Sequence, residues 1–366
     1  MALRVVKRRN PPAWSAAAIL VCALVLSLGV SLALLAAIGK SPVHGMVALW
    51  NGSFGSLWAI EDALIKAAPI FLCSLGLAVA FRMQVWNIGA EGQFALGAMG
   101  ATWAALTFPH APSWVLLPLM LVCAGLLGAA WGAIPGLLKV KLKANEIITT
   151  LMLNYVAIFL LEYMVYGPWK DPASFGFPVT PEFTPSAVIP LLGVGRLHGG
   201  VLLCVFAGVL LWAFLRYTRL GYELKACGEG AKVAAYARMP YNRLVLFVLT
   251  ASGAFAGVAG FVEVSASTGR LMTSIMAGYG YTAIIVAWIA RLRPVPIALA
   301  SFLLAALRVG VENIQLDMEV PAAFGDIMEG LILLTILSGQ FFEQYKLVRK
   351  GAKNAPAPSA SQETAP

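Results

Sequence analysis

The 366-residue sequence has little charge: Asp, Glu, Lys and Arg make up 12% of it, against 60% apolar residues. A water-soluble domain carries about a quarter charged residues, so this composition excludes a soluble globular fold and makes the lipid bilayer the solvent. Cysteine is scarce too. The five (Cys22, Cys73, Cys123, Cys204 and Cys227) form no CxxC pair. Four lie in apolar stretches as small hydrophobes and Cys227 lies in a basic loop, so no disulfide framework is expected. The three histidines, His44, His110 and His198, have no helical metal-ligand spacing, and no metal site is expected. A phosphate-binding loop is missing: Gly39-Lys40-Ser41 is the only fragment, and Leu34 stands where the first glycine is required. With no cluster of nucleophile, base and orienting group either, the chain is expected not to be an enzyme. The net charge of +9 is not gathered into one patch, which excludes nucleic acid as a partner.

What the sequence does have is long apolar runs. A membrane-crossing helix needs about 20 such residues. Runs bounded by charge, proline or turn residues fall near 13–38, 58–81, 88–108, 114–138, 146–166, 198–216, 244–264, 278–290, 296–310 and 326–342. The eighth and ninth are short and read as half-helices or re-entrant segments, which lipid tolerates only where protein shields the backbone. With the N-terminus in the cytoplasm, all Lys and Arg fall on the inner side except Lys40, Lys170, Arg196 and Arg270 outside and Lys66 and Arg308 in the spans. The expected fold is therefore all-α and polytopic, with about ten transmembrane helices and both termini cytoplasmic. The chain divides into a basic N-terminus at 1–12, a membrane domain at 13–345 with an inner loop at 217–243, and a tail at 346–366. The tail is rich in Ala, Pro and Ser and is expected to be disordered. The run after Arg9 is too long for a signal-peptide core. Outside, the stretch from Gly167 to Leu197 carries six prolines and suits either a linker or a docking surface.

Polar residues inside the spans are functional candidates by default, because burying them in lipid is costly. Asn87 and Glu91 are four apart and are expected to share a helix face. Gln93 follows them, and Glu146, Thr150 and Asn154 run along one face of the fifth span. Asn154 lies deep enough to line a polar path, and amide groups can make hydrogen bonds there without a fixed counter-charge. The alternative stays open that Glu91 braces a break near the inner interface and that Asn154 makes a buried interhelical hydrogen bond. Gly253, Gly257 and Gly260 form a GxxxG with a further glycine, a surface for close helix packing. Glu263 is another carboxylate at membrane depth with no partner evident in the sequence.

Asn87-Ile-Gly-Ala-Glu-Gly-Gln93 resembles a hallmark of the permease family of bacterial ABC importers for nucleosides and simple sugars, the ribose and branched-chain amino acid type. Pro69 with its span, Asn145-Glu-Ile-Ile-Thr-Thr-Leu-Met-Leu-Asn-Tyr155, Ala251-Ser-Gly-Ala-Phe-Ala-Gly-Val-Ala-Gly260 and Gly278-Tyr-Gly-Tyr-Thr-Ala283 extend the likeness over about 58–342. The resemblance implies a transport subunit of the bacterial inner membrane with a substrate path through Asn87, Glu91, Gln93 and Asn154. It also makes loop 217–243 the coupling segment, through Gly228, Ala234, Ala235, Tyr236 and Arg238. Members usually carry Gly where Arg238 stands. The implied partners are cytoplasmic ABC ATPases that bind ATP and Mg, a second related permease, an extracytoplasmic binding protein and the bilayer; the chain itself holds no cofactor. The rival class is an ion-gradient-driven secondary transporter using Glu91, Glu146 or Glu263.

The topology is testable by single cysteines. Thiols at positions 5, 230 and 355 are expected to label only from the cytoplasmic side and one at 180 only from outside; labelling of 180 and 230 from the same side rules the span count out.

Overall fold

The computed structural model describes residues 3–7, 13–193, 195–230, 234 and 236–349. Twelve helices carry the described chain. They are α1 (Ala13–Ala37), α2 (Pro42–Phe54), α3 (Leu57–Arg82), α4 (Ala90–Thr107), α5 (Ser113–Leu142), α6 (Glu146–Tyr166), α7 (Gly200–Tyr217), α8 (Arg219–Gly228), α9 (Tyr241–Val262), α10 (Tyr279–Ile289), α11 (Pro294–Met318) and α12 (Ala322–Gln344). Each of the ten apolar runs lies on one of these helices. Six helical segments are long and apolar enough to cross a membrane: α3, α5, α6, α7, α11 and α9 with its continuation to Thr268. The protein is a multi-pass membrane protein.

Three features depart from the expectation. The ninth run is not a half-helix: α11 is 25 residues long. The eighth is short as expected, and the 11 residues of α10 span about 17 Å, well under the bilayer core. The chain is also not wholly helical, because β1 (Leu3–Lys7) pairs antiparallel with β2 (Tyr345–Arg349), Leu3 facing Arg349 and Lys7 facing Tyr345. Residues 346–349 of the expected tail thus belong to a strand, while 350–366 lie outside the described residues. Neither α2 nor α8 was legible as a separate helix.

The chain forms two compact units. One comprises the segments up to Gly39 and from Asp326 onward, with α1, most of α12 and the two-stranded ladder. The other, Lys40–Gly325, holds α2 to α11 and the polar residues discussed below.

Local chemistry starts these helices where they start. Ser41, Ser56, Asn145 and Thr218 lie just before α2, α3, α6 and α8, and each side-chain oxygen accepts an amide hydrogen bond from the first turn. The core of the larger unit is α3 and α4, both mostly buried, with α5, α9 and α10 against them. By contrast α5, α6 and α7 present Leu126, Phe159 and Phe206 on their outer faces, the outward-apolar pattern expected where lipid is the solvent.

Glycine sets the separation of α4, α5 and α9. A Cβ on Gly97 would lie 2.2 Å from the Gly257 backbone, one on Gly253 2.2 Å from the Gly128 carbonyl, one on Gly257 2.2 Å from the Ala124 carbonyl, and one on Gly260 2.3 Å from the Phe94 carbonyl. No side chain fits at these crossings, so the three helices meet backbone to backbone.

Between α9 and α10 the chain leaves the α-helix. Glu263–Thr268 forms a wider π-type turn, Gly269 reverses the chain at φ +64°, and Gly278 starts α10 at φ +80°. The proline-rich stretch from Gly167 to Leu197 lies along this break. The Thr180 amide donates to the Leu271 carbonyl and Thr180 Oγ1 accepts the Leu271 amide, both at 3.0 Å; the Phe183 amide donates to the Gly269 carbonyl at 2.8 Å, and Ser265 Oγ donates to the Ala187 carbonyl at 2.6 Å.

Gly257→Ala is expected to lower stability by about 3 kcal/mol, the upper range for overpacking against rigid backbone. Gly125→Ala, whose nearest neighbour would be 3.7 Å away, is expected to be neutral. Thermal unfolding of the two variants in detergent checks this, and equal melting temperatures would refute the close-packing account.

Candidate functional site: a buried polar knot at the start of α4

The motif at 87–93 straddles the start of α4. Asn87 precedes the helix, which begins at Ala90, so Asn87 and Glu91 do not share a helix face as their spacing suggested. The turn before the helix folds Asn87 inward instead. Asn87 is fully buried and pairs with Gln93 in both directions, Nδ2 donating to Oε1 at 2.9 Å and accepting Nε2 on Oδ1 at 3.2 Å. Its Nδ2 also donates to Ser252 Oγ on α9 (2.9 Å), and its Oδ1 accepts the Gly89 amide (2.9 Å).

Asn154 approaches the same turn from α6. Its Oδ1 accepts the Gly92 amide at 2.9 Å, and its Nδ2 donates to the Ile88 carbonyl at 2.8 Å and to Tyr281 Oη at 3.1 Å. One turn earlier on α6, Thr150 Oγ1 accepts the Ile88 amide at 3.1 Å. A helix start leaves unpaired amides, and in lipid those must find protein partners. Here side chains of a neighbouring helix supply them. Gly92 makes the approach possible, since a Cβ there would lie 2.9 Å from Asn154 Oδ1.

Glu91 turns to a second helix start. It is 2% exposed; one carboxylate oxygen accepts the Gly278 amide at 2.9 Å and the other the Gly280 amide at 2.6 Å. The negative group thus sits at the N-terminus of α10, where exposed amides and the helix dipole favour it. Gly280 is required for the approach: its Cβ would fall 2.3 Å from the Glu91 nitrogen. The structure therefore brings Asn87, Glu91, Gln93 and Asn154 into one knot that joins α4, α6, α9 and α10. Its missing members, Ser252, Tyr281 and the amides of Gly278 and Gly280, are not readable from spacing, because backbone donors leave no mark in sequence.

The segment 217–243 holds the other candidate residues. Helix α8 buries Glu223, Leu224, Cys227 and Gly228 and exposes Leu220 and Tyr222. Gly228 presses on the end of α3, where a Cβ would lie 2.0 Å from the Arg82 carbonyl. Arg82 in turn donates to the Leu292 carbonyl at 2.8 Å, in the turn between α10 and α11. Ala234 is fully buried, so it is not part of an exposed docking face, whereas Tyr236 is 95% exposed. Ala235 lies outside the described residues. Arg238 adopts φ +50°, the left-handed region that favours glycine. The glycine usual in the resembling family at this position thus meets a backbone requirement that arginine fills at a cost of about 1 kcal/mol. The histidines stay apart: His44 pairs with Asp317 at 2.7 Å, and His198, held toward its neutral form by burial, accepts the Gly200 amide at the start of α7.

Residues 59–337 match the family described as the branched-chain amino acid transport system permease component, and the chain belongs to that family. It is 33% identical to a glucose ABC transporter permease of Haloferax volcanii over 93% of this chain and 92% of that one. It is 31% identical to a guanosine ABC transporter permease of Bacillus subtilis over 90% and 96%, and 27% identical to a nucleoside ABC transporter permease of Lactococcus lactis over 82% and 85%. The chain is a transport subunit of an ABC system, in which the ATPase is a separate chain.

Removing the Glu91 carboxylate strands two buried amides. Glu91→Ala is expected to cost about 3 kcal/mol, from two charge-assisted bonds, and Glu91→Gln, which keeps one acceptor, about half of that. Melting of the purified variants measures the difference; an unchanged Glu91→Ala contradicts the capping role.

Proposed function

We propose that this permease conducts a neutral, hydroxyl-rich solute, a nucleoside or simple sugar, into the cytoplasm at the expense of ATP hydrolysed by partner subunits. The observation that carries the reading is the end-to-end similarity to permeases whose names specify guanosine, nucleosides and glucose. An extracytoplasmic binding protein delivers the solute, and a second, related permease completes the path. The chain crosses about ten times with both termini in the cytoplasm. The β1–β2 ladder supports an even number of crossings, since it draws the two terminal segments to one side.

In this reading α8 and the turn after it receive the push of the ATPase. Their outward groups are Leu220, Tyr222 and Tyr236, apolar and aromatic surface beside Arg219, Lys225 and Arg238. Gly228 transmits displacement to the end of α3, and Arg82 carries it to the α10–α11 turn. The polar knot lies at the other end of α10. Asn87, Glu91, Gln93 and Asn154 border the path there by holding the starts of α4 and α10 in register, so the knot works as a joint. The ion-gradient alternative is disfavoured by the same geometry, because both oxygens of Glu91 are committed to backbone amides.

The test is uptake into proteoliposomes holding the complete complex. ATP-dependent accumulation of guanosine or glucose is expected to survive an uncoupler. Replacing Tyr222 and Tyr236 together by Asp is expected to lower uptake about tenfold or more, as loss of an aromatic anchor does, while the permease still folds. Uptake that stops with the uncoupler at constant ATP defeats the reading.

A further inference from the structure

A second polar group adjoins the knot at the start of α10, between α3, α11 and the π-type turn. Lys66 Nζ pairs with Glu312 Oε2, and Arg308 Nε lies 3.9 Å from Glu312 Oε1. Arg308 also donates to the Ala277 carbonyl at 2.6 Å and stands 4.9 Å over the Tyr279 ring. Glu263 completes the group. It accepts hydrogen bonds from Ser267 Oγ (3.4 Å) and the Tyr279 hydroxyl, and the charges of Lys66 and Arg308 both act on it.

Position and exposure constrain what this quartet faces. Lys66 and Arg308 lie in the middle of helices long enough to cross the membrane, about 13 Å and 15 Å from the ends opposite Arg82 and Pro294. Yet the side chains of Lys66 and Glu312 are 26% and 43% exposed. Partly exposed charge at that depth does not face acyl chains without heavy cost, so it faces water or protein. The apolar groove between α3, α7 and α11, lined by Leu64, Phe71, Val205, Trp212 and Phe302, offers no polar group to a hydroxylated solute; the quartet does.

We infer that Lys66 and Glu312, braced from behind by Arg308 and by the buried Glu263, line the water-filled outer half of the translocation path and form a contact site for the hydroxyl groups of the solute. The inference rests on the nucleoside or sugar reading for the solute and on geometry alone for the water-facing surface. Two cations and two carboxylates already near each other present little net field. What they offer is alternating donors and acceptors, which matches a vicinal diol: each hydroxyl donates to a carboxylate and accepts from a cation. The Tyr279 ring adds a flat apolar wall beside them. A solute with net charge gains nothing from such a balanced set.

The experiment uses the full ATPase–permease complex in proteoliposomes, with two readouts. First, single cysteines at 66 and 312, in a chain whose five native cysteines are replaced by serine or alanine, are exposed to a membrane-impermeant cationic thiosulfonate. Both are expected to react. No reaction at either position overturns the inference and assigns the quartet to a buried contact with another subunit. Second, Glu312→Gln and Arg308→Gln are tested for guanosine and glucose uptake. The KM is expected to rise about tenfold, the loss of one charge-assisted hydrogen bond. An unchanged KM overturns the inference, as does competition by leucine that equals competition by guanosine. If the wild type takes up neither guanosine nor glucose, the solute reading fails by itself, and the thiol labelling still decides whether the quartet faces water.

Discussion

Inside a bilayer no water pairs with a free amide or carbonyl, so every break in a helix must be closed by the protein itself. That constraint organises this molecule. The chain breaks at 83–89 and again at 263–278, and each break leaves amides that no helix satisfies. Asn87, Thr150 and Asn154 close the first, and Glu91 closes the second from the helix that the first break begins. The motif is therefore best understood as two linked helix starts, each completed by side chains from elsewhere in the chain.

The same economy of space appears in the packing. Where α4, α5 and α9 cross, glycine backbones touch, and this brings Ser252 on α9 within reach of Asn87. The polar knot thus depends on the glycine crossings: a wider helix spacing would pull Ser252 from its partner and leave a buried amide group unsatisfied. Packing and hydrogen bonding reinforce each other.

Much of the architecture was legible in the sequence, for physical reasons. Apolar length identifies a helix in lipid without any knowledge of its neighbours, so all ten runs fall on helices. The ninth run ends at 310, short of the helix, because Glu312 and the polar residues after it interrupt the apolarity, although α11 continues to Met318 and Glu312 contacts Arg308 one turn back. Helix α2 was missed because Asn51, Gly52 and Ser53 resemble a turn. At the site, the residue types were visible and their partners were not: Glu91 bonds to residues nearly 190 positions away through backbone amides, and spacing carries no trace of such a bond. The spacing of Asn87 and Glu91 was misleading because the helix begins between them.

The proline-rich stretch at 167–197 has a consequence of its own. Its backbone is bonded to residues 265–271, and those residues lead directly into α10. Proline restricts the stretch at six positions and removes amide donors that would compete for these bonds. The stretch is thus a stiff strap fastened to the least regular part of the membrane domain. Wear would show there first: a proteolytic cut in this strap would leave every crossing helix covalently intact and still cost the break at 263–278 its support.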